Sequence, residues 1–267
     1  MYLVDVQTKR YHIIKMTDQI AEYLGKDFKM GEYEIRDGFC GHIKNIAEKM
    51  CTESQLQESL EFVDISTLEE RLLGENSITH EFTDKISGWN RSRFIPVDYD
   101  EDGKLLHVLF CIECIEEEKK RENRLIYLAQ TDLMTGLCNR GSGEKRITEL
   151  LKEKTKGLLC LIDCDKFKSI NDTYGHSVGD KAIIAVAKTL QKTCRDSDVV
   201  MRLGGDEFAI FMPKMLEQTV AEKFFERLFE NIRQIDIIEM RGKSIEISLG
   251  ACFYDGYEDV SFDQLYI

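Results

Sequence analysis

Residues 199–212 read Val199-Val-Met-Arg-Leu-Gly-Gly-Asp-Glu-Phe-Ala-Ile-Phe-Met212. Two apolar β-prone runs, Val199–Leu203 and Phe208–Met212, flank the tight turn Gly204-Gly205-Asp206-Glu207, so the stretch predicts a β-hairpin. Upstream, Leu158–Asp163 is an apolar strand. Ser177–Cys194 is a helix with Ile183, Ile184, Ala187 and Leu190 on its buried side. Downstream, Glu217–Ile235 is a helix carrying Phe224, Leu228 and Ile232. Ser244–Phe253 is a final strand after Arg241-Gly242-Lys243. The order β-α-β-β-α-β is the ferredoxin-like pattern, an α+β fold. In its antiparallel sheet the first strand lies beside the third, which predicts that Asp163 meets Asp206 and Glu207.

Three carboxylates converging at a sheet edge repel one another unless a cation sits between them. Oxygen ligands without His or Cys partners favour Mg²⁺ or Mn²⁺ over zinc. Between the first strand and its helix, Asp163–Asp180 is dense in Asn, Asp, Lys and Gly. It reads as a loop with side chains for a base edge and amines for phosphates. It is not a P-loop, because the G-x-x-x-x-G-K-[ST] spacing is absent.

Three stretches occur in order: Asp132-Leu-Met-Thr-Gly-Leu-Cys-Asn-Arg140, then Asp163-x-Asp-x-Phe-Lys-x-x-Asn-Asp-x-x-Gly-His-x-x-Gly-Asp180, then Gly204-Gly-Asp-Glu-Phe208. Together they resemble the GGDEF family of diguanylate cyclases over about residues 130–260. The resemblance implies a bacterial signalling enzyme that condenses two GTP into cyclic di-GMP and releases two pyrophosphates. It implies two Mg²⁺ (or Mn²⁺) per active site, held by Asp163, Asp206 and the Cys164 carbonyl. Glu207 would be a further ligand or the base for the ribose 3′-hydroxyl. Asn171 and Asp180 would read the guanine edge, His176 would contact the substrate, and Phe167 and Lys168 would support the phosphates. Each site takes one GTP in this family, so the reaction implies a homodimer. Arg195-Asp-Ser-Asp198 matches the family's R-x-x-D inhibitory site, where Arg195 and Asp198 would grip product guanines. The chain stops at Ser261–Ile267, where the family continues into a helix and basic phosphate ligands. The catalytic domain, 132–267, is therefore expected to be C-terminally incomplete and a poor cyclase.

N-terminally, Tyr2–Val6 and Tyr11–Met16 are β-prone runs of a hairpin, and helices are expected near 17–24, 41–50 and 53–61. Another opens on Ser66 as N-cap with Glu69 in a capping box and stops at Gly74. Ser77–Ile86, Trp89–Val97 and Leu105–Ile115 read as a three-stranded meander. This order resembles the PAS sensor fold over residues 1–115, with an unknown small-molecule or protein signal; Trp89 and Phe94 are candidate pocket aromatics. Residues 116–131 form a charged helix linking the parts. Its heptad seam is Ile115, Lys119, Glu122, Ile126, Ala129 and Leu133.

The 267 residues carry 36 Lys+Arg against 49 Asp+Glu, a net charge of -13. That sign disfavours binding to nucleic-acid backbone or anionic membrane. Nine scattered cysteines are no disulfide scaffold and point to a reducing cytoplasm. Cys111-x-x-Cys114 lacks the four ligands of a zinc site. No apolar run reaches a membrane span and no signal pattern follows Met1. Two other functions compete: a non-catalytic receptor for cyclic di-GMP through Arg195 and Asp198, and a synthase accepting ATP. The intact turn carboxylates oppose the first, and Asp180, which repels the acceptor N1 of adenine, opposes the second.

Overall fold

The computed structural model describes residues 1–15, 38–85, 87–257 and 260–266. The chain divides into two compact units, Met1–Asn123 and Arg124–Ile267.

In unit 1, β1 (Tyr2–Asp5) and β2 (Tyr11–Ile13) pair antiparallel, as the hairpin reading expects. The helix expected near 17–24 lies outside the described residues. Next come α1 (Gly38–Met50), α2 (Glu53–Phe62), a 3-10 turn (Ile65–Thr67) and the short α3 (Leu68–Arg71). Then β3 (Ile78–Asp84), β4 (Gly88–Tyr99) and β5 (Leu105–Cys114) form the meander, and the sheet order is β2-β1-β5-β4-β3. Helix α1 buries Phe39, Ile43, Ile46 and Met50, one stripe at helical spacing, against Tyr2, Val4, Phe94 and Phe110 of the sheet.

Three local expectations for this unit are corrected. Ser66 is not an N-cap: the Asp64 carboxylate takes that place, accepting from Ser66 N at 2.9 Å, because the turn begins one residue earlier, at Ile65. The following helix ends at Arg71, not Gly74. Among the described residues, a cavity of about 20 Å³, room for one water, lies between Ile43, Met50, Cys51, Phe82 and Phe110, and neither proposed aromatic lines it. Phe94 is wholly enclosed in the core, and Trp89 instead carries the Lys119 ammonium over its ring at 5.5 Å.

The linker helix α4 spans Glu116–Gln130 and buries none of its residues within either unit. Ile115, the expected start of the seam, precedes the helix and is buried in unit 1, and Leu133 follows its end. The seam within the helix is therefore Lys119, Glu122, Ile126 and Ala129. Lys119 is held at 2.7 Å from Glu81 of β3, so it belongs to unit 1. Arg91 of β4 also bridges Glu81 (2.7 Å) and Glu118 (3.0 Å), tying the first turn of α4 to the sheet.

Unit 2 contains β6 (Cys138–Asn139), α5 (Arg140–Lys152), β7 (Gly157–Cys164), α6 (Phe167–Tyr174) and α7 (His176–Thr193). It continues with β8 (Val199–Gly204), β9 (Glu207–Pro213), α8 (Gln218–Arg233), β10 (Ile247–Tyr254) and α9 (Phe262–Tyr266). The sheet order is β10-β7-β9-β8-β6, with β7 beside β9 as the ferredoxin-like pattern requires and β6 added parallel to β8. Side chains alternate across a strand, so β9 sends Phe208, Ile210 and Met212 to the core under α7 and α8. It sends Ala209 and Phe211 to the other face, under Ile147 and Leu151 of α5. Burial on both faces is why this strand reads as an unbroken apolar run. One expectation fails here: the polar stretch 163–180 is not a loop throughout. Phe167, Ile170 and Tyr174 pack on the core at helical spacing and fold it into α6.

Candidate active site

The ladder between β7 and β9 puts Asp163 directly opposite Glu207. Asp206 occupies the turn one residue earlier, and its carbonyl accepts from Cys164 N at 3.3 Å. Gly205 makes this turn possible because it sits at φ +54°, a left-handed conformation that costs a side-chain-bearing residue energy. Burial raises the Asp163 carboxyl above the ordinary carboxylate value, and the charges of Asp206, Glu207 and Asp165 raise it further. The carboxylates thus crowd one another at the sheet edge. Among the described residues no three His, Cys, Asp or Glu side chains close into a finished metal cage. The donor chemistry nonetheless fits a hard divalent cation: crowded carboxylate oxygens are what such an ion neutralises. The Cys164 thiol does not compete, because burial first, and then its acidic neighbours, push it up to about 12 and keep it protonated. Only its backbone carbonyl would be available to such a cation. An open cavity of about 380 Å³ adjoins, lined by Asp163, Glu207, Leu161, Leu203, Ser248 and Gly250.

Two struts that the sequence did not disclose hold this corner. Arg202, two residues before the glycine pair, donates to the Gly205 carbonyl at 2.7 and 3.0 Å and to both Asp132 carboxylate oxygens at 3.2 and 3.3 Å. Burial pushes the Asp132 carboxyl up, but hydrogen bonds from Thr135 and the Arg202 charge outweigh it and leave it below its ordinary value. Asp165 ties the first loop to β10: its carboxylate accepts from Ser248 Oγ at 2.6 Å and its N–H donates to the Glu246 carbonyl at 2.9 Å.

The predicted substrate residues gather on α6 and α7. Phe167 is half-buried and Lys168 exposed at the start of α6, just after Lys166 in the left-handed region. Gly175, at φ +85°, reverses the chain, and His176 opens α7 exposed to solvent. The Asn171 carboxamide lies against Gly179, which immediately precedes the exposed Asp180 in α7.

Arg195 and Asp198 lie beyond the far end of α7, about 27 Å along an 18-residue helix from His176. The Asp198 carboxylate accepts from Arg195 N at 2.8 Å. Both residues line a cavity of about 140 Å³ with Lys223 and Arg227 of α8, which the sequence reading did not single out. Arg227 donates to the Thr193 carbonyl at 3.1 Å and stacks over Phe224.

The family model "Diguanylate cyclase, GGDEF domain" matches residues 129–266. The chain belongs to the GGDEF family. The chain is similar to diguanylate cyclase DgcM of Escherichia coli (strain K12), 33% identical over 166 residues, 60% of this chain and 38% of DgcM. It is also similar to diguanylate cyclase VdcA of Vibrio cholerae, 36% identical over 123 residues, 46% of this chain and 36% of VdcA. The chain thus spans well under half the length of either relative. Among solved structures, the coiled coil and GGDEF domain of DgcB from Caulobacter crescentus in complex with c-di-GMP superposes with TM-score 0.50 at 24% identity. That match covers 57% of this chain and 82% of the other and establishes a shared mixed α/β GGDEF fold.

Proposed function

We propose that the chain is a metal-dependent diguanylate cyclase, joining two GTP into cyclic di-GMP with loss of two pyrophosphates. The observation that carries this reading is the register of Asp163 against Glu207 with Asp206 in the intervening turn, inside a GGDEF domain. Asp163, Asp206, Glu207 and the Cys164 carbonyl are the residues to hold Mg²⁺ or Mn²⁺, two per site, which when bound would screen the α-phosphate and stabilise the attacking and leaving oxygens. Glu207 is also the group to accept the proton of the ribose 3′-hydroxyl. Asn171 and Asp180 read guanine: a carboxylate accepts from both N1–H and the exocyclic amine, which adenine does not offer together. Lys168 and the backbone at Phe167 support the phosphates, and His176, exposed at the start of α7, contacts the substrate.

Several further features accompany this activity. Two sites must face each other, each with one GTP. The chain acts as a homodimer, a reading supported by exposed Leu125, Ile126 and Leu128 on α4. Product returns to the cavity at Arg195 and Asp198 and inhibits, a reading supported by the Lys223 and Arg227 cations beside them. Unit 1 acts as a PAS-like sensor of an unknown signal, supported by its element order. The work is cytoplasmic, a reading supported by nine cysteines scattered through the chain. To test the catalytic reading, Asp163→Asn and Asp206→Asn are assayed with GTP and Mg²⁺. Each removes one anionic ligand at almost unchanged shape. Turnover should collapse while GTP affinity weakens less; full turnover by either variant contradicts the assignment.

A further inference from the structure

Gly179 sits buried in the second turn of α7, with Asp180 next in sequence. Its backbone is ordinary right-handed helix, so nothing about its conformation calls for glycine. A Cβ added there would lie 2.0 Å from Asn171 Oδ1, 3.0 Å from Asn171 Cγ and 3.3 Å from Phe167 Cζ. The atoms that fill this notch are the ends of two side chains on α6, not backbone. Close approach of two helix backbones is therefore not the reason for the glycine. What the missing side chain leaves room for is the Asn171 carboxamide. The turn at Gly175, whose N–H donates to the Asn171 carbonyl at 2.9 Å, folds α7 back so that these residues meet.

We propose that Gly179 is a specificity-determining residue: it seats the Asn171 carboxamide beside Asp180 and so sets the choice of guanine. The inference rests on the GTP reading above and adds to it a residue that touches no substrate. An Asn side chain can rotate, so Gly179→Ala turns the carboxamide away without moving the backbone. Alanine also suits a helix interior better than glycine, so the variant keeps its fold.

The test measures binding of 3′-deoxy-GTP and 3′-deoxy-ATP with Mg²⁺ by calorimetry on the full chain; neither nucleotide carries the attacking hydroxyl, so none is consumed. Gly179→Ala should lose about tenfold in 3′-deoxy-GTP affinity, the effect of one displaced polar contact, with 3′-deoxy-ATP nearly unchanged. Asn171→Ala should lose the same ratio, and the double variant should lose no more than Asn171→Ala alone. A merely structural disturbance would weaken both nucleotides alike, which overturns the proposal, as does an unchanged ratio in a folded Gly179→Ala. If Gly179→Ala fails to fold, the double variant, which lacks the colliding atoms, decides. A further loss of ratio relative to Asn171→Ala then overturns the proposal, and none supports it. A parent chain that binds no 3′-deoxy-GTP contradicts the GTP reading itself, which is a different outcome.

Discussion

Arg202 is the residue on which the geometry of the turn depends most visibly. It is 13% exposed, and one guanidinium holds both the Gly205 carbonyl and the Asp132 carboxylate. Charged hydrogen bonds of this kind contribute about 1.5–3 kcal/mol each, and removing one partner leaves the other unsatisfied. Arg202→Met should therefore slow turnover at least about tenfold, by letting Asp206 and Glu207 drift, and lower the melting temperature of the catalytic unit. Initial rates and thermal melts check this; a parent-like rate at saturating GTP would show that the turn stands without its strut. The carboxylates themselves were legible in the sequence, because a hairpin and a strand order are local patterns. The strut was not, because Asp132 and Arg202 are 70 positions apart and only the folded sheet brings them together.

At the scale of elements, periodicity gave the long pieces and missed the short one. Helices α7 and α8 each carry a wide apolar stripe, so their existence and buried faces were readable. Helix α6 has eight residues, most of them polar, and its three apolar contacts only show a pattern once the core they face is known. The cap at Asp64 was misplaced for a similar reason: Ser66 also fits a cap, and only the fold chooses between them. Arg195→Ala should keep synthesis but lose tight product binding, because a planar guanidinium matches the Hoogsteen edge of guanine. Calorimetry with cyclic di-GMP reads this, and parent-like affinity would place the product site elsewhere. Arg91→Ala should free the first turn of α4 from β4, raising amide exchange at Lys119, whose N–H donates to the Ile115 carbonyl at 2.9 Å. The melting temperature should hardly move, since such half-exposed pairs contribute about 0–1 kcal/mol. Unaltered exchange would show that the Trp89 N–H bond to Glu116 at 2.9 Å suffices.

For the molecule as a whole, each unit has its own core, so each should melt as its own transition. They should differ in pH dependence. His80 stacks against Phe62 and Phe82, with Ser59 Oγ 3.1 Å from its ring. Burial holds it below its ordinary value, and the charge of Glu58 offsets this only in part. Burial lowers His42 as well. A base depressed in the folded state binds fewer protons there than when unfolded. The stability linked to these two histidines is therefore complete above about pH 6.5 and is lost as pH falls below it. Calorimetric scans at pH 7.5 and 5.5 should show the unit 1 transition moving down, and His80→Gln should flatten that slope; equal slopes exclude His80 as a cause. Motif spacing pointed to a linker helix over 116–131, but the way the first turn of α4 is gripped by unit 1 needed the ion pairs.

The most direct measurement incubates the chain with GTP and Mg²⁺ over long times and resolves the nucleotides chromatographically, with Asp206→Asn in parallel. The account predicts cyclic di-GMP with two pyrophosphates per product, from the parent chain and not from the variant. A parent chain that leaves GTP intact, yields only GDP, or is matched by Asp206→Asn would contradict it.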